Sequence, residues 1–178
     1  HTLLSLQQAA KLSTDPAVRY ATLVHDVGKG VTDEDNWPSH HGHETLGLPL
    51  QAAISKRLHV PNEFSRLAAL VCEHHTKLHR IKELRPATLL KLIEALDGFR
   101  RPEPVQKFLL ACEADAKGRT GLEEQDYPQS EYLTTILSEL SQLDVGAMIK
   151  EAKPKNTQEF VQQSRLSLLS DIMSRRLL

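Results

Sequence analysis

Apolar residues recur through most of this chain at intervals of three and four, the spacing that lines one face of an α-helix. Leu3, Leu6 and Ala10 predict a first helix over 2–12, broken at Ser13-Thr14. Asp15-Pro16 opens a second, since Pro suits a first helical turn. Ala21, Val24 and His25 share its face, which turns His25 inward, and Gly28 is expected to stop the helix. Residues 30–42 are polar and read as a loop. A third helix starts at His43 with Leu46, Leu50, Ile54 and Leu58 as its stripe, and Pro49 inside it predicts a kink or a restart. After a break at Val60-Pro61-Asn62-Glu63, Phe64, Leu67, Leu70 and Val71 lead to His74-His75, at least one of which stays on the inner face. Arg85-Pro86 opens a helix striped by Leu89, Ile93 and Leu96 and ended by Gly98. From Pro102 to Lys117, Val105, Phe108, Leu109, Cys112 and Asp115 fall on one face, which sets a carboxylate on an apolar stripe. A polar loop over 122–128 precedes a helix over 130–143 with Tyr132, Ile136, Leu137 and Leu140; residues 144–155 read as short and irregular. The last helix begins near Asn156, where Asn156-x-x-Glu159 resembles a capping box, and runs with Val161, Leu168, Leu169, Ile172 and Met173 to the terminus. No segment reads as a strand, so the expected fold is all-α, one domain of about eight or nine helices.

Composition narrows the function. A length of 178 residues suits one domain with a real core. A net charge of −1 gives no basic stripe for nucleic acid, and 4% aromatics is too few for a base-stacking sheet. No apolar run is long enough to cross a membrane. Cys72 and Cys112 sit in apolar helical patterns and read as reduced core residues of a cytoplasmic protein, neither a disulfide nor a zinc site. The first residue is His1 and not Met, so a piece of a longer protein is expected.

The chemistry centres on His25-Asp26-Val27-Gly28-Lys29-Gly30. An inward His beside a carboxylate needs a partner, and imidazole and carboxylate are both ordinary metal ligands. Asp115 is a second carboxylate that burial obliges to find a partner. The candidate ligands are His1, His25, Asp26, His43, His74, His75 and Asp115, all at inner-facing or terminal helix positions, as in bundle-core metal sites. The set has no thiolate, against a closed structural zinc site, and so many His argue against magnesium alone. Manganese, iron, nickel, cobalt or catalytic zinc all fit. Helical phase leaves the choice between His74 and His75 open. Lys29 supplies a cation for a bound anion. His40 and His41 lie in the loop and face solvent or substrate; His59 and His79 read as ordinary surface residues.

With its other His so placed, His25-Asp26-x-Gly28-Lys29 resembles the HD superfamily of metal-dependent phosphohydrolases, whose signature is H…HD…D. The resemblance implies that His1, His25, Asp26 and Asp115 hold one metal, and that His43 and His75 hold a second with Asp26 bridging. Further stretches narrow it: Trp37-Pro38-x-His40-x-x-His43-Glu44, Val60-Pro61-Asn62-Glu63, Glu113-Ala114-Asp115-x-x-Gly118-Arg119-Thr120-Gly121 and Asp126-Tyr127-Pro128-Gln129. Their order and spacing are similar to the C-terminal HD domain of bacterial multifunctional CCA-adding enzymes, the tRNA nucleotidyltransferases. The likeness is specific to about residue 130 and thins beyond it, which separates an HD core over 1–126 from a helical extension over 127–178. Relatives often carry Asp after the His matching His75, where this chain has Thr76, and the nucleotidyltransferase head is absent, so CCA addition is not expected.

What the resemblance implies is hydrolysis of 2′,3′-cyclic phosphates, 2′-nucleotides and phosphomonoesters with nickel, manganese, cobalt, magnesium or zinc. Asp26 and Lys29 are then the catalytic residues, with Lys29, Arg119 and His40 binding substrate. tRNA is the expected partner of the longer protein, and a homodimer is compatible. The rival readings are a stand-alone HD nucleotide phosphatase or phosphodiesterase, and a silent tRNA-docking or dimerisation module.

Overall fold

The computed structural model describes residues 1–176. Among these there are nine α-helices, three short 3-10 turns and no strand. The helices are α1 (Thr2–Leu12), α2 (Pro16–Val24), α3 (His43–Arg57), α4 (Asn62–His79), α5 (Pro86–Ala95), α6 (Pro102–Lys117), α7 (Pro128–Ser141), α8 (Val145–Ala152) and α9 (Thr157–Arg176). Local chemistry sets several starts. Asp15 accepts from the Ala17 amide at 2.8 Å, which satisfies one free N–H of α2. Asn156 accepts from the Glu159 amide at 3.2 Å, and its own amide donates to the Glu159 carboxylate.

Helices α1, α2, α4 and α6 pack together around a core of Val18, Ala21, Val71, Leu78, Phe108 and Cys112, all fully buried. The same core continues through Leu89 and Ile93 of α5 and Ile136 of α7 to Leu169 and Ile172 of α9. Cys72 and Cys112 are both buried free thiols.

Three expectations change. Helix α2 ends at Val24, and Gly28 lies in a following 3-10 turn over Val27–Val31. What Gly28 permits is contact: a Cβ there would meet the His43 carbonyl at 2.0 Å and the Gly47 amide at 2.6 Å. Helix α3 runs unbroken through Pro49 and buries His43, Gly47, Gln51 and Ser55, not its leucine stripe. Leu46 and Leu58 are 43% and 58% exposed. The small face wins because α3 lies tight on α4 and on the Gly28 turn; a Cβ at Gly47 would sit 2.6 Å from Cys72 Sγ. The polar groups taken inside are paired, with Gln51 donating to Ser55 at 2.8 Å and Tyr20 bonded to Ser55 at 2.6 Å. Finally, residues 145–152, read as irregular, form α8, capped by Asp144 on the Ala147 amide at 2.9 Å. The expected run of α9 to the terminus falls, for Leu177 and Leu178, outside the described residues.

Candidate metal centre

Four helices and one turn bring a set of nitrogen and oxygen donors to one point. His1 caps α1, His25 and Asp26 follow α2, His43 opens α3, His75 lies on α4 and Asp115 lies near the end of α6. The crossing of α1 over α6 depends on Gly118, where a Cβ would strike Ser5 at 2.1 Å from Oγ and 2.5 Å from Cα. That approach also puts His1 Nδ1 3.2 Å from the Gly118 carbonyl.

One device orients all four imidazoles. Each places Nδ1 against a main-chain carbonyl: His1 on Gly118, His25 on Thr22 at 2.7 Å, His43 on His40 at 2.9 Å and His75 on Val71 at 2.9 Å. A carbonyl only accepts, so Nδ1 carries a proton and Nε2 faces the centre, where it is free to ligate once it holds no proton of its own. A metal-ligating imidazole is held in just this way.

The carboxylates face these nitrogens. Asp26 Oδ2 is 3.2 Å from His25 Nε2 and 3.7 Å from His1 Nε2. Its Oδ1 is 3.2 Å from His43 Nε2 and 3.5 Å from His75 Nε2. Asp26 thus offers one oxygen to each half of the cluster. Asp115 Oδ1 lies 2.7 Å from His1 Nε2 and 3.2 Å from His25 Nε2. Three atoms at this point, His25 Nε2, Asp26 Oδ1 and Asp115 Oδ1, are buried with no hydrogen bond. Buried orphan donors and acceptors are costly. Here they converge, and three overlapping sets have the spacing to hold an ion: His1, His25 and Asp26; His25, His75 and Asp115; Asp26, His43 and His75. The residues present fit a divalent cation in donor type, number and unsatisfied valence.

The electrostatics agree. Burial works against both carboxylates, yet contacts with His25, His43 and His75 hold Asp26 well below the usual carboxylate range, and His25 and His79 do the same for Asp115. Burial opposes a charge on His25, but Asp115 and Asp26 outweigh it and raise its pKa to about 10.

A scan of protein families finds that the HD domain family model matches residues 1–101. The chain belongs to the HD domain family. The match takes in His1, His25-Asp26, His43 and His75 and stops short of Asp115. This HD chain is also similar to curated proteins named Multifunctional CCA protein. It is 50% identical to that of Teredinibacter turnerae over 86% of its own length and 37% of the relative. The identity is 53% with that of Thioalkalivibrio sulfidiphilus, over 75% of the chain and 32% of the relative. With that of Pseudomonas paraeruginosa it is 44%, over 95% and 42%. The HD chain thus spans between about a third and two fifths of the length of these relatives. No solved structure gives a significant match.

Around the HD cluster, Lys29, His40 and Arg119 line one open cleft of about 490 Å³, together with His1, Pro38 and Thr120. Lys29 Nζ reaches Asp26 Oδ2 at 2.5 Å. His40 adopts a left-handed backbone, φ 49°, and its carbonyl is the one that orients His43, while its ring bonds to Thr32 at 2.6 Å. His74 points away to Lys77, 3.0 Å from its Nζ, which leaves His75 as the one at the centre. Thr76 donates to Glu44 at 2.7 Å, a link between α4 and the start of α3.

His79 corrects the reading as a surface residue. Its Nε2 is 2.6 Å from Asp115 Oδ2 and its Nδ1 2.9 Å from the Tyr127 hydroxyl. The signal was present in the sequence: Val71, His75 and His79 are spaced by four and share a helical face. His59 is exposed, as read. Among the described residues, no helix is long and apolar enough to cross a membrane.

Proposed function

We propose that the chain is the metal-dependent phosphohydrolase domain of a tRNA nucleotidyltransferase of the multifunctional CCA type. The observation that carries this is the convergence of two buried, unbonded carboxylate oxygens, Asp26 Oδ1 and Asp115 Oδ1, with four imidazole Nε2 atoms beside a cleft lined by Lys29 and Arg119. His1, His25, Asp26 and Asp115 would hold one ion, and His43 and His75, with Asp26, would hold a second. When bound, a divalent cation supplies Lewis-acid activation of water and neutralises charge on a phosphoryl oxygen.

The chain's own residues do the rest. The main-chain carbonyls of Gly118, Thr22, His40 and Val71 keep each imidazole in the ligating tautomer. Asp26 is the catalytic carboxylate, because its two oxygens face both halves of the cluster. Lys29 anchors Asp26 and lines the cleft, so it is placed to bind a phosphoryl oxygen and stabilise charge developing there. Arg119, which lines the same cleft, brings a planar fork suited to two phosphoryl oxygens. His40 is the third substrate-facing group. Substrates are 2′-phosphates, 2′,3′-cyclic phosphates and phosphomonoesters, including tRNA ends that carry them, and the setting is cytoplasmic tRNA 3′-end maturation and repair. Residues 1–126 are the catalytic core and 127–178 the helical extension, and a homodimer is compatible with this reading. CCA addition itself is not expected of this chain.

The test is hydrolysis of 2′,3′-cyclic AMP, 2′-AMP and p-nitrophenyl phosphate by the purified chain with nickel, manganese, cobalt, magnesium and zinc in turn. Turnover with at least one ion, lost on chelation, supports the reading. Inactivity with every ion despite bound metal contradicts it and favours a silent docking module.

A further inference from the structure

We propose that His79 and Tyr127 form a positioning pair that turns the Asp115 carboxylate toward the metal centre, and that His79 itself is not a ligand. The proposal rests on the metal-dependent reading above.

The argument begins with proton positions. The four centre-facing imidazoles all carry a proton on Nδ1, because each Nδ1 meets a carbonyl. His79 is reversed. Its Nε2 lies 2.6 Å from Asp115 Oδ2, and an ionised carboxylate only accepts, so Nε2 must donate. Nδ1 is then bare and accepts from the Tyr127 hydroxyl at 2.9 Å. Tyr127 O–H to His79 Nδ1, then His79 Nε2–H to Asp115 Oδ2, gives each link one proton. The consequence falls on Asp115. Its Oδ2 is occupied by His79, which leaves Oδ1 buried, unbonded and aimed at His1 and His25. A carboxylate free to rotate would present either oxygen to the cluster, or split itself between them.

The same contacts tie the extension to the centre. Tyr127 sits immediately before α7, and Gln129 in its first turn donates to the His79 carbonyl at 3.3 Å. Both residues lie beyond the family match, and they bear on Asp115, which also lies beyond it.

The experiment is cobalt titration of the whole chain, followed by its visible absorption, with circular dichroism as the folding control. Outer partners of metal ligands are typically worth about 10–100-fold in metal affinity. His79→Leu is expected to weaken cobalt binding by that much without shifting the bands, since no ligand is lost. His79→Gln, which keeps an N–H directed at Asp115, is expected to recover most of the affinity. Tyr127→Phe keeps the ring and is expected to weaken binding less than His79→Leu. Should His79→Leu prove too unstable, Tyr127→Phe and His79→Gln carry the test alone. Histidine nitrogen NMR reads the ring nitrogens directly, with Nδ1 protonated in the four centre-facing residues and bare in His79. Unchanged affinity in both His79→Leu and Tyr127→Phe overturns the proposal. So does a changed band position in His79→Gln, which marks a lost ligand. A parent chain that binds no cobalt overturns the metal reading instead, so the two failures are separable.

Discussion

Gly28 and Gly30 flank Lys29 in one short turn, and the fold gives them opposite fates on substitution. An alanine Cβ at 28 would lie 2.0 Å from the His43 carbonyl, 2.6 Å from the Gly47 nitrogen and 2.9 Å from its Cα, all main-chain atoms of α3. Real Cβ contacts essentially never fall under 3.0 Å, so the start of α3 must retreat by roughly 1 Å. His43 would go with it, away from Asp26 Oδ1 at 3.2 Å and His75 Nε2 at 3.4 Å. Overpacking typically costs about 1–3 kcal/mol, and rigid backbone on the other side puts Gly28→Ala at the upper end, about 3 kcal/mol. For a chain of this size that is a fall in melting temperature of about 6–12 °C. An alanine at 30 meets nothing within 4 Å and needs no left-handed backbone. Gly30→Ala is therefore expected to be neutral or to stabilise by about 0.4–1 kcal/mol. The assay is thermal melting of both metal-free variants, with metal content measured afterwards. Gly28→Ala that melts like the parent and holds as much metal would refute the contact argument, as would Gly30→Ala that destabilises as much as Gly28→Ala.

Asp26→Ala is expected to abolish hydrolysis and metal binding while circular dichroism stays helical; an active variant with normal metal content sinks the role given to Asp26. Phe108, fully buried at the centre of the core, should cost about 3–5 kcal/mol when cut to Ala, read as the shift of the urea midpoint. The pH dependence follows from His25, whose pKa is raised from 6.5 to about 10 in the metal-free chain, where Asp115 and Asp26 outweigh burial. Stability from that proton is fully present below 6.5 and is lost as pH rises through about 10, so metal-free melting temperatures should fall across that window. An ion must displace the same proton, so cobalt affinity should rise with pH over the same range, and affinity flat with pH would contradict the linkage.

Most helices were legible because a buried face repeats at helical spacing, and α6 was read with its polar exception, Asp115, on the correct face. Helix α3 was misread for a definite reason. Burial there follows close approach and not hydrophobicity: Gly47 and Gly28 let backbones touch, so His43, Gln51 and Ser55 go inside while Leu46 stays out. Helix α8 was missed because eight residues containing Gly146 carry too little periodicity; its cap, Asp144, was the available signal. The family signature named the centre-facing residues, and helical phase alone did not separate His74 from His75. What separates them is contact, with His74 on Lys77 and His75 on the Val71 carbonyl. His79 was lost because its partners, Asp115 and Tyr127, lie 36 and 48 residues away.

The most direct measurement is metal content of the purified chain, before and after chelation, set against hydrolysis of 2′,3′-cyclic AMP by the same samples. The account predicts near-stoichiometric divalent metal, with turnover lost on its removal and restored by one added ion. A chain that hydrolyses equally well with and without its metal, or that binds none at all, would contradict it.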